Sequence, residues 1–418
     1  MKTRGALPLR GGQFRAGWKP AGESDILLHM RKDEAVLYFG VNPWDSLLQR
    51  PQHLARGLSR RRRVLYVDPT AFSVLTKLAS ALKKEGGRRG WLPRLRRLSD
   101  SLHVFTLPPL FPFSLWSGTA TFLNARLAAG MLTAVLTRLD FHPRILWISS
   151  PQHHLLPDLM PADLVCYDCL DNFAAFYPDR RGKLLAAQEN AMLDKAQVVF
   201  ATDGSLEARC RGRCTQVHLL PNAVDTGFLK SPALPCPREL SSLPGPVIGY
   251  VGTISHWVDL GLIRALAASR PGWSFVLVGP ADNRAIPSGL PNLHFLGEKR
   301  HEELPAYLDR MDVCLIPFVP GELTHSVNPV KLYEYLARGK PVVATETRAL
   351  RPFAGLCSLA TGPGGFLAAI ESALSQTGRA KTRVRRQRIA FAAENTWDHR
   401  VREVEKILEL FTRCTRKV

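Results

Sequence analysis

Short apolar runs of strand length alternate along the chain with longer amphipathic segments of helix length. In the first half, the apolar runs lie at 35–41, 64–67, 102–107, 145–149, 164–167, 198–201 and 217–220. In the second half they lie at 247–251, 274–278, 293–296, 313–316 and 342–344. This alternation is typical of parallel sheets whose strands are joined by crossover helices. We therefore predict an α/β protein with two doubly wound, Rossmann-like domains.

The length of the chain also favours two domains. Its 418 residues exceed the roughly 250–300 residues at which a single hydrophobic core stops growing. Residues 221–246 are rich in proline, leucine and serine and form the predicted linker. We predict a disordered basic extension at 1–32, a first domain at 33–240 and a second domain at 241–395.

A glycine follows the apolar run that opens the second half. Gly252 and Thr253 come directly after that run and before a helix predicted near 259–269. Parallel sheets bind ligands beyond the carboxyl ends of their strands, and a glycine there lets backbone N–H groups approach a phosphate closely. The alternative is a tight turn without a ligand, so this junction is a weak signal.

A predicted helix precedes the last long apolar run, and residues typical of helix ends stand at both of its boundaries. Asn328 suits an N-cap, Pro329 the first turn and Gly339 the end of the helix. Lys331 lies in the first turn, where the helix dipole and free N–H groups already favour an anion. Glu334, on the same face, can accept hydrogen bonds from two adjacent ribose hydroxyls. We predict a pyrophosphate and ribose site here; the alternative is an ordinary surface ion pair.

Polar and aromatic residues also follow the predicted strands of the first half. Asn42, Trp44 and Asp45 come after the first strand, and Asp168 and Asp171 follow the strand at 164–167. Because these positions lie at the ligand-binding edge of a parallel sheet, we expect substrate contacts there. A metal site would need more ligands than the two aspartates supply.

Arg50 and His53 lie at the predicted start of the next helix. They are candidates for binding a substrate phosphate. The equal alternative is that the turn at Arg50 only positions the helix.

The net charge of +20 is concentrated at the two ends of the chain. Residues 1–110 carry a surplus of 13 positive charges and residues 376–418 a surplus of 7. This distribution suits an anionic membrane surface. Nucleic acid is disfavoured, because the basic runs at 60–63, 83–84 and 88–89 lack interleaved aromatic residues. A solvated basic face is an equal alternative.

We expect no membrane-spanning segment, because no charge-free apolar stretch reaches roughly 18–20 residues. The opening segment does not resemble a secretory signal. Residues 111–139 are a candidate contact with a membrane interface or a lipid-linked substrate. Packing of 123–139 on a sheet is the favoured alternative. The aromatic and apolar residues that motivate the membrane contact are Phe111, Phe113, Leu115, Trp116 and Phe122.

The eight cysteines are scattered along the chain, which fits a reducing cytoplasm. A zinc site could be imagined from two close pairs. The first pair includes Cys166, however, which lies inside an apolar run, where a buried free thiol is the more frequent state. We predict no metal. The four cysteines concerned are Cys166, Cys169, Cys210 and Cys214.

Several of these segments resemble one large enzyme family. Residues 333–345 resemble the glutamate-containing helix and following strand of retaining glycosyltransferases with the GT-B fold, family 4-like, which include sucrose and mannosyl transferases. Residues 222–225 are similar to that family's Pro-Asn-Gly-Val-Asp junction. Trp44 and Asp45, with 49–53 and 64–69, resemble bacterial glycosyltransferases of the teichuronic-acid type, which act on envelope polysaccharides. The resemblance covers most of residues 35–410.

The resemblance implies a hexosyltransferase-like enzyme that moves a sugar from a nucleoside diphosphate to an acceptor hydroxyl, with retention of configuration. The first domain would bind the acceptor, the second the donor, and residues 396–418 would form a helix that crosses back to the first domain. The leaving phosphate would take the acceptor proton, so no dedicated protein base is needed. Neither a cofactor nor a metal is expected. The implied donor-binding residues are Gly252, Thr253, Lys331, Leu332 and Glu334.

The sequence departs from the family pattern at two places. Where the family has a sugar-contacting carboxylate eight positions before Glu334, this chain has Ser326, so the role falls to Ser326, His325 or Asn328. The residues at 255–257 replace the basic pair that follows the family's glycine loop, and Lys331 would then carry more of the phosphate charge. The family also often places a sugar-contacting histidine near the position of His153 or its neighbour.

Two other functions stay open at this point. A nucleotide-sugar epimerase has the same architecture but needs no acceptor. A catalytically silent protein that binds a sugar nucleotide or a polysaccharide is the non-enzyme alternative, motivated by Ser326. We expect a cytoplasmic protein, with peripheral attachment to the inner face of the membrane as a candidate, a saccharide or lipid-linked acceptor, and no nucleic-acid partner.

Overall fold

A computed structural model of the chain describes residues 34–69, 93–108, 117–281 and 289–414. Within these ranges the chain forms two open α/β sheets, one from each half. The extension at 1–32, the basic pairs at 83–84 and 88–89, and the aromatic residues at 111–116 lie outside the described residues.

The first sheet has eight strands in the order β3-β4-β2-β1-β5-β6-β7-β8. Neighbouring strands are parallel, except that β3 runs antiparallel to β4 at the sheet edge. The order reverses between β1 and β5, which makes that point the ligand-binding position of the sheet. The strands are β1 (Ala35–Phe39), β2 (Val64–Asp68), β3 (Arg94–Arg97), β4 (Leu102–Thr106), β5 (Pro143–Ile148), β6 (Leu164–Cys169), β7 (Val198–Ala201) and β8 (Val217–Leu219).

The second sheet has six parallel strands in the order β11-β10-β9-β12-β13-β14. This is the 3-2-1-4-5-6 order of a mononucleotide-binding fold, with its reversal between β9 and β12. The strands are β9 (Val247–Val251), β10 (Ser274–Val278), β11 (Leu293–Phe295), β12 (Val313–Ile316), β13 (Val342–Thr345) and β14 (Ser358–Ala360).

Helices cover both faces of each sheet. Short 3-10 helices occur at Pro151–His153, Phe173–Phe176, His301–Glu303 and Arg348–Phe353. The helices are α1 (Arg50–Leu58), α2 (Gly118–Arg138), α3 (Leu156–Leu159), α4 (Arg180–Leu193), α5 (Gly204–Arg211), α6 (Thr226–Lys230), α7 (Arg238–Ser241), α8 (Leu260–Ser269), α9 (Leu304–Arg310), α10 (Glu322–His325), α11 (Val330–Ala337), α12 (Gly362–Ser375), α13 (Gly378–Glu394) and α14 (Trp397–Cys414).

Each strand predicted from an apolar run is present, with ends that differ by up to two residues. The predictions missed β3 and β14. Strand β3 contains three arginines and one leucine, and β14 is only three residues long. Both are edge strands that bury little apolar surface, so neither produces a periodic apolar signal.

Helix α14 packs against the first domain although it follows the second in sequence. Trp397, Val401 and Leu408 belong to the same buried cluster as the inner face of α1 and one face of the first sheet. At the crossing point, the backbone of Val224 forms hydrogen bonds with the backbone of both Asn395 and Trp397. The linker and the chain's return are therefore held together.

A buried ionic cluster anchors the same helix. Arg62, fully buried in the turn after α1, donates three hydrogen bonds to Glu405 of α14 and one to Glu34. Because an unpaired buried charge is strongly destabilising, all three side chains depend on α14 being in place.

Helix α2 covers the other face of the first sheet with one side only. Its Ala125, Ala128 and Leu132 are buried in the core, whereas Phe122 and Leu127 on the opposite side are 43% and 46% exposed. By length and composition α2 could cross a membrane, a stretch that the sequence analysis did not detect because it contains two arginines. The packing of its small residues makes α2 a layer of the domain with an apolar outer side.

The cysteines of the two close pairs do not converge on one site. Cys166 lies in the cluster on the α1 face of the first sheet, and the other three lie in the cluster on the α2 face. All four are free and buried. Within the part of the chain that the structure describes, no group of three potential metal ligands is present.

Candidate active site

The carboxyl ends of the two sheets face each other. Phe176, beyond β6 of the first sheet, contacts both His256 and Trp257, which follow β9 of the second, at ring centroid distances of 6.5 and 6.3 Å. The reversal points of both sheets open towards the same cleft. The candidate site is therefore built from the loops that follow β9, β11 and β12 on one side and β1, β5 and β6 on the other.

Helix α11 begins at the edge of this cleft. Its N-terminal boundary is Pro329, without a side-chain cap, so the prediction that Asn328 caps the helix is wrong. Asn328 is buried and binds the linker instead: its side-chain oxygen accepts from the backbone N–H of Asn222, and its carbonyl accepts from the Asn222 side chain. The predicted end is confirmed, because Gly339 follows the helix with φ +68°.

Lys331 lies in the first turn of α11, as predicted, and its ammonium is enclosed by aromatic rings. Its Nζ lies 5.1 Å from the ring centroids of both Tyr250 and Phe318. Burial lowers the pKa of Lys331 to about 8. Among the described residues, no carboxylate or hydrogen-bond acceptor pairs with Nζ. Aromatic faces attract a cation but leave its N–H donors free for an anion.

The glycine loop after β9 lies directly against Lys331. A Cβ added to Gly252, whose φ is +143°, would lie 2.7 Å from the lysine Cε. A Cβ on Gly279, beyond β10, would in turn meet the carbonyl oxygen of Gly252 at 2.2 Å. Both positions therefore require glycine, and the close approach brings the Gly252–Thr253 backbone beside the ammonium. The hydroxyl of Tyr250 fixes this loop by donating to the carbonyl of Thr253 at 2.8 Å.

Glu334 lies one turn further along the same face of α11. Its side chain is 12% exposed, and burial raises the pKa of its carboxyl group. The nearest potential ionic partner is the ring of His301, whose Nδ1 lies 3.9 Å from a carboxylate oxygen. In the described part of the chain the carboxylate accepts no hydrogen bond. A buried carboxylate without donors is unfavourable, so this geometry suits a ligand that supplies hydroxyl groups.

The other residues predicted on the donor side do not line the cleft with free polar groups. Leu332 is fully buried in the core of the second domain, and its backbone N–H donates to the carbonyl of Pro329. Ser326 is buried, and its hydroxyl donates to carbonyls of its own short helix, α10. The Leu332 side chain is apolar and packs into the core. A serine hydroxyl commonly donates a hydrogen bond to a carbonyl of its own helix, as Ser326 does, so neither side chain has a free polar group to contact a sugar.

Arg50 and Asp168 are brought together, but in the interior of the first domain. The guanidinium of Arg50 donates to both carboxylate oxygens of Asp168 and to the carbonyl of Leu220. Arg50 is 3% exposed and Asp168 is fully buried. Their polar groups satisfy each other, which accords with the alternative that Arg50 positions α1 and does not contact a substrate.

His53 is also part of the packing between α1 and α14. Its ring stacks on Trp397 with the centroids 4.9 Å apart, and its Nδ1 lies 3.7 Å from Asp225. Burial lowers the pKa of His53 to about 3 despite the nearby carboxylate. The imidazole is therefore neutral at physiological pH and holds no charge for a phosphate.

Asp171 is placed differently from Asp168. It lies just beyond β6, and burial raises the pKa of its carboxyl group to about 7. A carboxyl group that titrates near neutral pH at a ligand-binding edge is a functional candidate. It lies five residues before Phe176, which crosses to the second domain.

Three other first-domain residues predicted to contact substrate make contacts within that domain. Asn42 donates to Gln49 at 2.8 Å, and Asp45 pairs with Arg96 of β3 at 2.8 Å. Trp44 is 7% exposed and packs edge-on against Tyr66, so it is a core residue.

His153 follows β5, and its ring packs on that of Phe39. Burial lowers the pKa of His153 to about 4, and its Nδ1 has no partner among the described residues.

The sequence analysis missed the aromatic enclosure of Lys331 and the partner of Glu334. Tyr250 and Phe318 lie at strand ends and carry no motif, and His301 stands in a polar stretch of 298–303 without periodicity. Only the folded chain brings these segments to α11.

Two mononucleotide-binding folds that face each other across a cleft, as the two sheets do here, define the GT-B fold. Residues 245–376 match the family model "Glycosyl transferases group 1". The chain thus contains a glycosyltransferase group 1 domain and is an enzyme of the glycosyltransferase class.

A longer sequence match agrees with this class, and two solved structures share the fold. The chain is 28% identical over 282 residues to TuaH of Bacillus subtilis, named as a teichuronic acid biosynthesis glycosyltransferase; the match covers 62% of this chain and 70% of that protein. The structure is similar to sucrose-phosphate synthase from Thermosynechococcus elongatus, with a TM-score of 0.69, 14% identity and coverage of 91% and 100% of the two chains. It is also similar to Anabaena HepE in complex with UDP and glucose, with a TM-score of 0.58, 14% identity and coverage of 90% and 99%.

Proposed function

We propose that the protein transfers a sugar from a nucleoside-diphosphate donor to an acceptor hydroxyl, with the donor bound at the N-terminus of α11. One observation carries this proposal. Lys331 and Glu334 lie one helical turn apart and are largely buried. Among the described residues, the ammonium has no hydrogen-bond acceptor and the carboxylate has no donor. A diphosphate would supply the anion that Lys331 lacks. A ribose would supply the two hydroxyl donors that Glu334 lacks.

The proposed chemistry depends on charge that grows on the leaving diphosphate. As the bond between the sugar and the diphosphate breaks, negative charge develops beside Lys331 and the free N–H groups of α11, which lower the barrier by stabilising it. In this proposal the sugar keeps its anomeric configuration and the leaving phosphate accepts the acceptor proton. Closure of the two domains around the donor excludes water and limits hydrolysis.

We propose uridine diphosphate as the nucleotide of the donor. The support is that Anabaena HepE, which shares the fold, is solved with UDP and glucose. Ser326 occupies the position of the family's sugar-contacting carboxylate and its hydroxyl is engaged within α10, so it supplies no charged contact to the transferred sugar.

We assign the acceptor to the first-domain side of the cleft. Asp171 is the carboxyl group placed there to orient or hydrogen-bond an acceptor hydroxyl. The similarity to a teichuronic acid glycosyltransferase supports a cell-envelope polysaccharide or glycolipid as the product.

We also propose that the protein works in the cytoplasm, at the inner face of the membrane. The support is the apolar outer side of α2, which exposes Phe122, Leu123 and Leu127, and the absence of any acidic residue in this helix. The positive surplus of residues 1–110 would add attraction to anionic lipids.

A thermal-shift screen tests the donor site. Nucleoside diphosphates and their sugar conjugates are added to the wild-type protein, Lys331→Ala and Glu334→Ala, since a ligand of the folded state raises the melting temperature. We expect one nucleotide to stabilise the wild type and neither variant. Unchanged responses of the variants would contradict the assignment.

Product analysis with that nucleotide sugar then separates the functions. A transferase releases nucleoside diphosphate together with a glycosylated acceptor. An epimerised donor would support the epimerase alternative, and binding without turnover would support the silent binder.

A further inference from the structure

His301 comes to the donor site from a different part of the second domain than α11 does. It opens the 3-10 helix His301–Glu303, which follows β11 at the sheet edge. Its ring packs on Phe228, with the centroids 5.2 Å apart, and its Nδ1 lies 3.9 Å from the carboxylate of Glu334. The side chain is 22% exposed. The imidazole is thus held between the linker helix α6 and the carboxylate assigned to the donor.

The second ring nitrogen of His301 is buried and unused. Among the described residues, Nε2 has no hydrogen-bond partner. Buried polar atoms in native proteins are generally paired, so an orphan beside an unsatisfied carboxylate indicates a missing ligand group. Two side chains from separate elements, His301 and Glu334, thus each carry an unsatisfied polar group and approach each other to 3.9 Å.

The charges around Glu334 explain why an imidazole is useful there. Burial raises the pKa of the Glu334 carboxyl group and Asp225 raises it further, whereas Lys331 and, when protonated, His301 lower it. At 3.9 Å, Nδ1 lies beyond hydrogen-bond distance from the carboxylate, but an N–H on this nitrogen would attract the charged form and limit its orientations. In the neutral imidazole, a proton on Nδ1 leaves Nε2 as a hydrogen-bond acceptor. That acceptor fits a hydroxyl of the ribose or an N–H of the base.

We propose that His301 is a donor-recognition residue that selects a ribonucleoside diphosphate. Its Nδ1 side positions Glu334 for the ribose hydroxyls, and its Nε2 accepts a hydrogen bond from the nucleotide. This inference rests on the proposed function, because it assumes that Glu334 contacts the donor ribose. It adds a residue on which the preference for ribose over deoxyribose depends.

The test compares the dissociation constants of UDP and 2′-deoxy-UDP by isothermal titration calorimetry. The proteins are the wild type, His301→Ala, His301→Asn, His301→Gln and His301→Leu, with His294→Ala on the neighbouring strand β11 as the matched control. An asparagine amide overlays Nδ1 and a glutamine amide overlays Nε2, whereas leucine keeps only the apolar packing on Phe228. Circular dichroism verifies that each variant is folded.

For the wild type we expect UDP to bind about tenfold or more tightly than 2′-deoxy-UDP, the effect of a hydrogen bond to a charged group. His301→Ala should weaken UDP binding by about tenfold and reduce the preference to about threefold or less, because Glu334 loses its orientation. His301→Asn should keep most of the preference. His294→Ala should bind both nucleotides as the wild type does.

Three outcomes would overturn the inference. If His301→Ala keeps the wild-type preference while Glu334→Gln loses it, the donor site stands and His301 has no part in recognition. If His301→Leu restores the preference, the ring serves only to pack on Phe228. If the wild type binds no UDP and no other nucleoside diphosphate, the proposed function fails and this inference fails with it.

Discussion

Gly57 of α1 lies against Val401 of α14 so closely that a Cβ on the glycine would be 2.2 Å from a valine methyl group. The contact joins the first domain to the helix that returns from the second. A glycine in a helix interior normally lowers stability, because alanine has the higher helix propensity. Glycine at this position lets the backbone of α1 contact the side chain of Val401 in α14 directly.

We predict that Gly57→Ala destabilises the protein. The methyl group forces α1 and α14 apart at a cost of roughly 1–3 kcal/mol, which exceeds the gain in helix propensity of roughly 1 kcal/mol. Gly130 of α2 is the matched control, because a Cβ there meets no atom within 4 Å. Gly130→Ala should leave stability unchanged or raise it. Urea unfolding measures both variants, and equal effects would contradict the packing argument.

We predict that Lys331→Met removes activity without lowering stability. Methionine fills the space between Tyr250 and Phe318 and removes a buried charge that has no anionic partner in contact, so the variant should be as stable as the wild type or roughly 1–3 kcal/mol more stable. Loss of transition-state charge stabilisation should lower kcat by roughly 100-fold or more. Turnover assays and thermal unfolding measure the two effects.

Lys340 provides the control for that variant. Its ammonium is also partly buried, but it donates to the carbonyls of Asp309 and Met311 at the far end of α11. Lys340→Met should therefore lose stability and keep its affinity for the donor. If both lysine variants lose donor binding to the same degree, the position at the helix N-terminus has no special role.

We predict that donor binding takes up protons near pH 8. The pKa of Lys331 in the free protein is about 8 because of burial, and a bound diphosphate stabilises the charged form and raises that pKa. Affinity should be constant well below pH 8 and decrease as the pH rises to 9 and above. Calorimetry in buffers of different ionisation enthalpy measures the proton uptake, which should disappear in Lys331→Met.

Deprotonation of Lys331 at high pH weakens donor binding but stabilises the folded state. Its pKa is lower in the folded state than its ordinary value of 10.5, so the unfolded chain binds more protons between these two values. The contribution of Lys331 to stability therefore increases as the pH rises from about 8 towards 10.5.

We predict that the outer side of α2 mediates binding to anionic vesicles. Replacing Phe122, Leu123 and Leu127 together by serine should abolish cosedimentation with phosphatidylglycerol vesicles, and high salt should weaken binding of the wild type. Leu410→Ser is the control, because this leucine is 66% exposed on α14 and not on α2. Absence of salt-sensitive binding by the wild type would refute the membrane proposal.

The parts of the fold that the sequence predicted are those in which burial is repeated along the chain. The strands from Val247 to Val251 and from Val313 to Ile316 are fully buried and appear as continuous apolar runs. Strand β3 could not be detected, because Arg94 and Arg97 are exposed, Arg96 is half-buried, and Leu95 is its one apolar residue.

The candidate site was predictable at the N-terminal end of α11, where several residues with helix-end preferences lie close together in sequence. Lys331 and Glu334 lie on the predicted face of α11. Asn328 does not cap the helix, because its amide oxygen and carbonyl oxygen accept hydrogen bonds from Asn222, 106 positions away. Arg50 and Asp168, separated by 118 positions, satisfy each other. Pairings over such distances depend on tertiary packing, which local patterns do not encode.

The return of α14 has a consequence for how the protein is made. The apolar face formed by Leu54, Ala55 and Leu58 of α1 is covered by α14, and the ribosome must translate the whole second domain before that cover exists. During this interval the nascent first domain presents an uncovered apolar surface and an Arg62 guanidinium that lacks its Glu405 partner. We expect the nascent chain to bind chaperones until residues 397–411 emerge, so maturation of the first domain waits for a helix that is translated after the whole second domain.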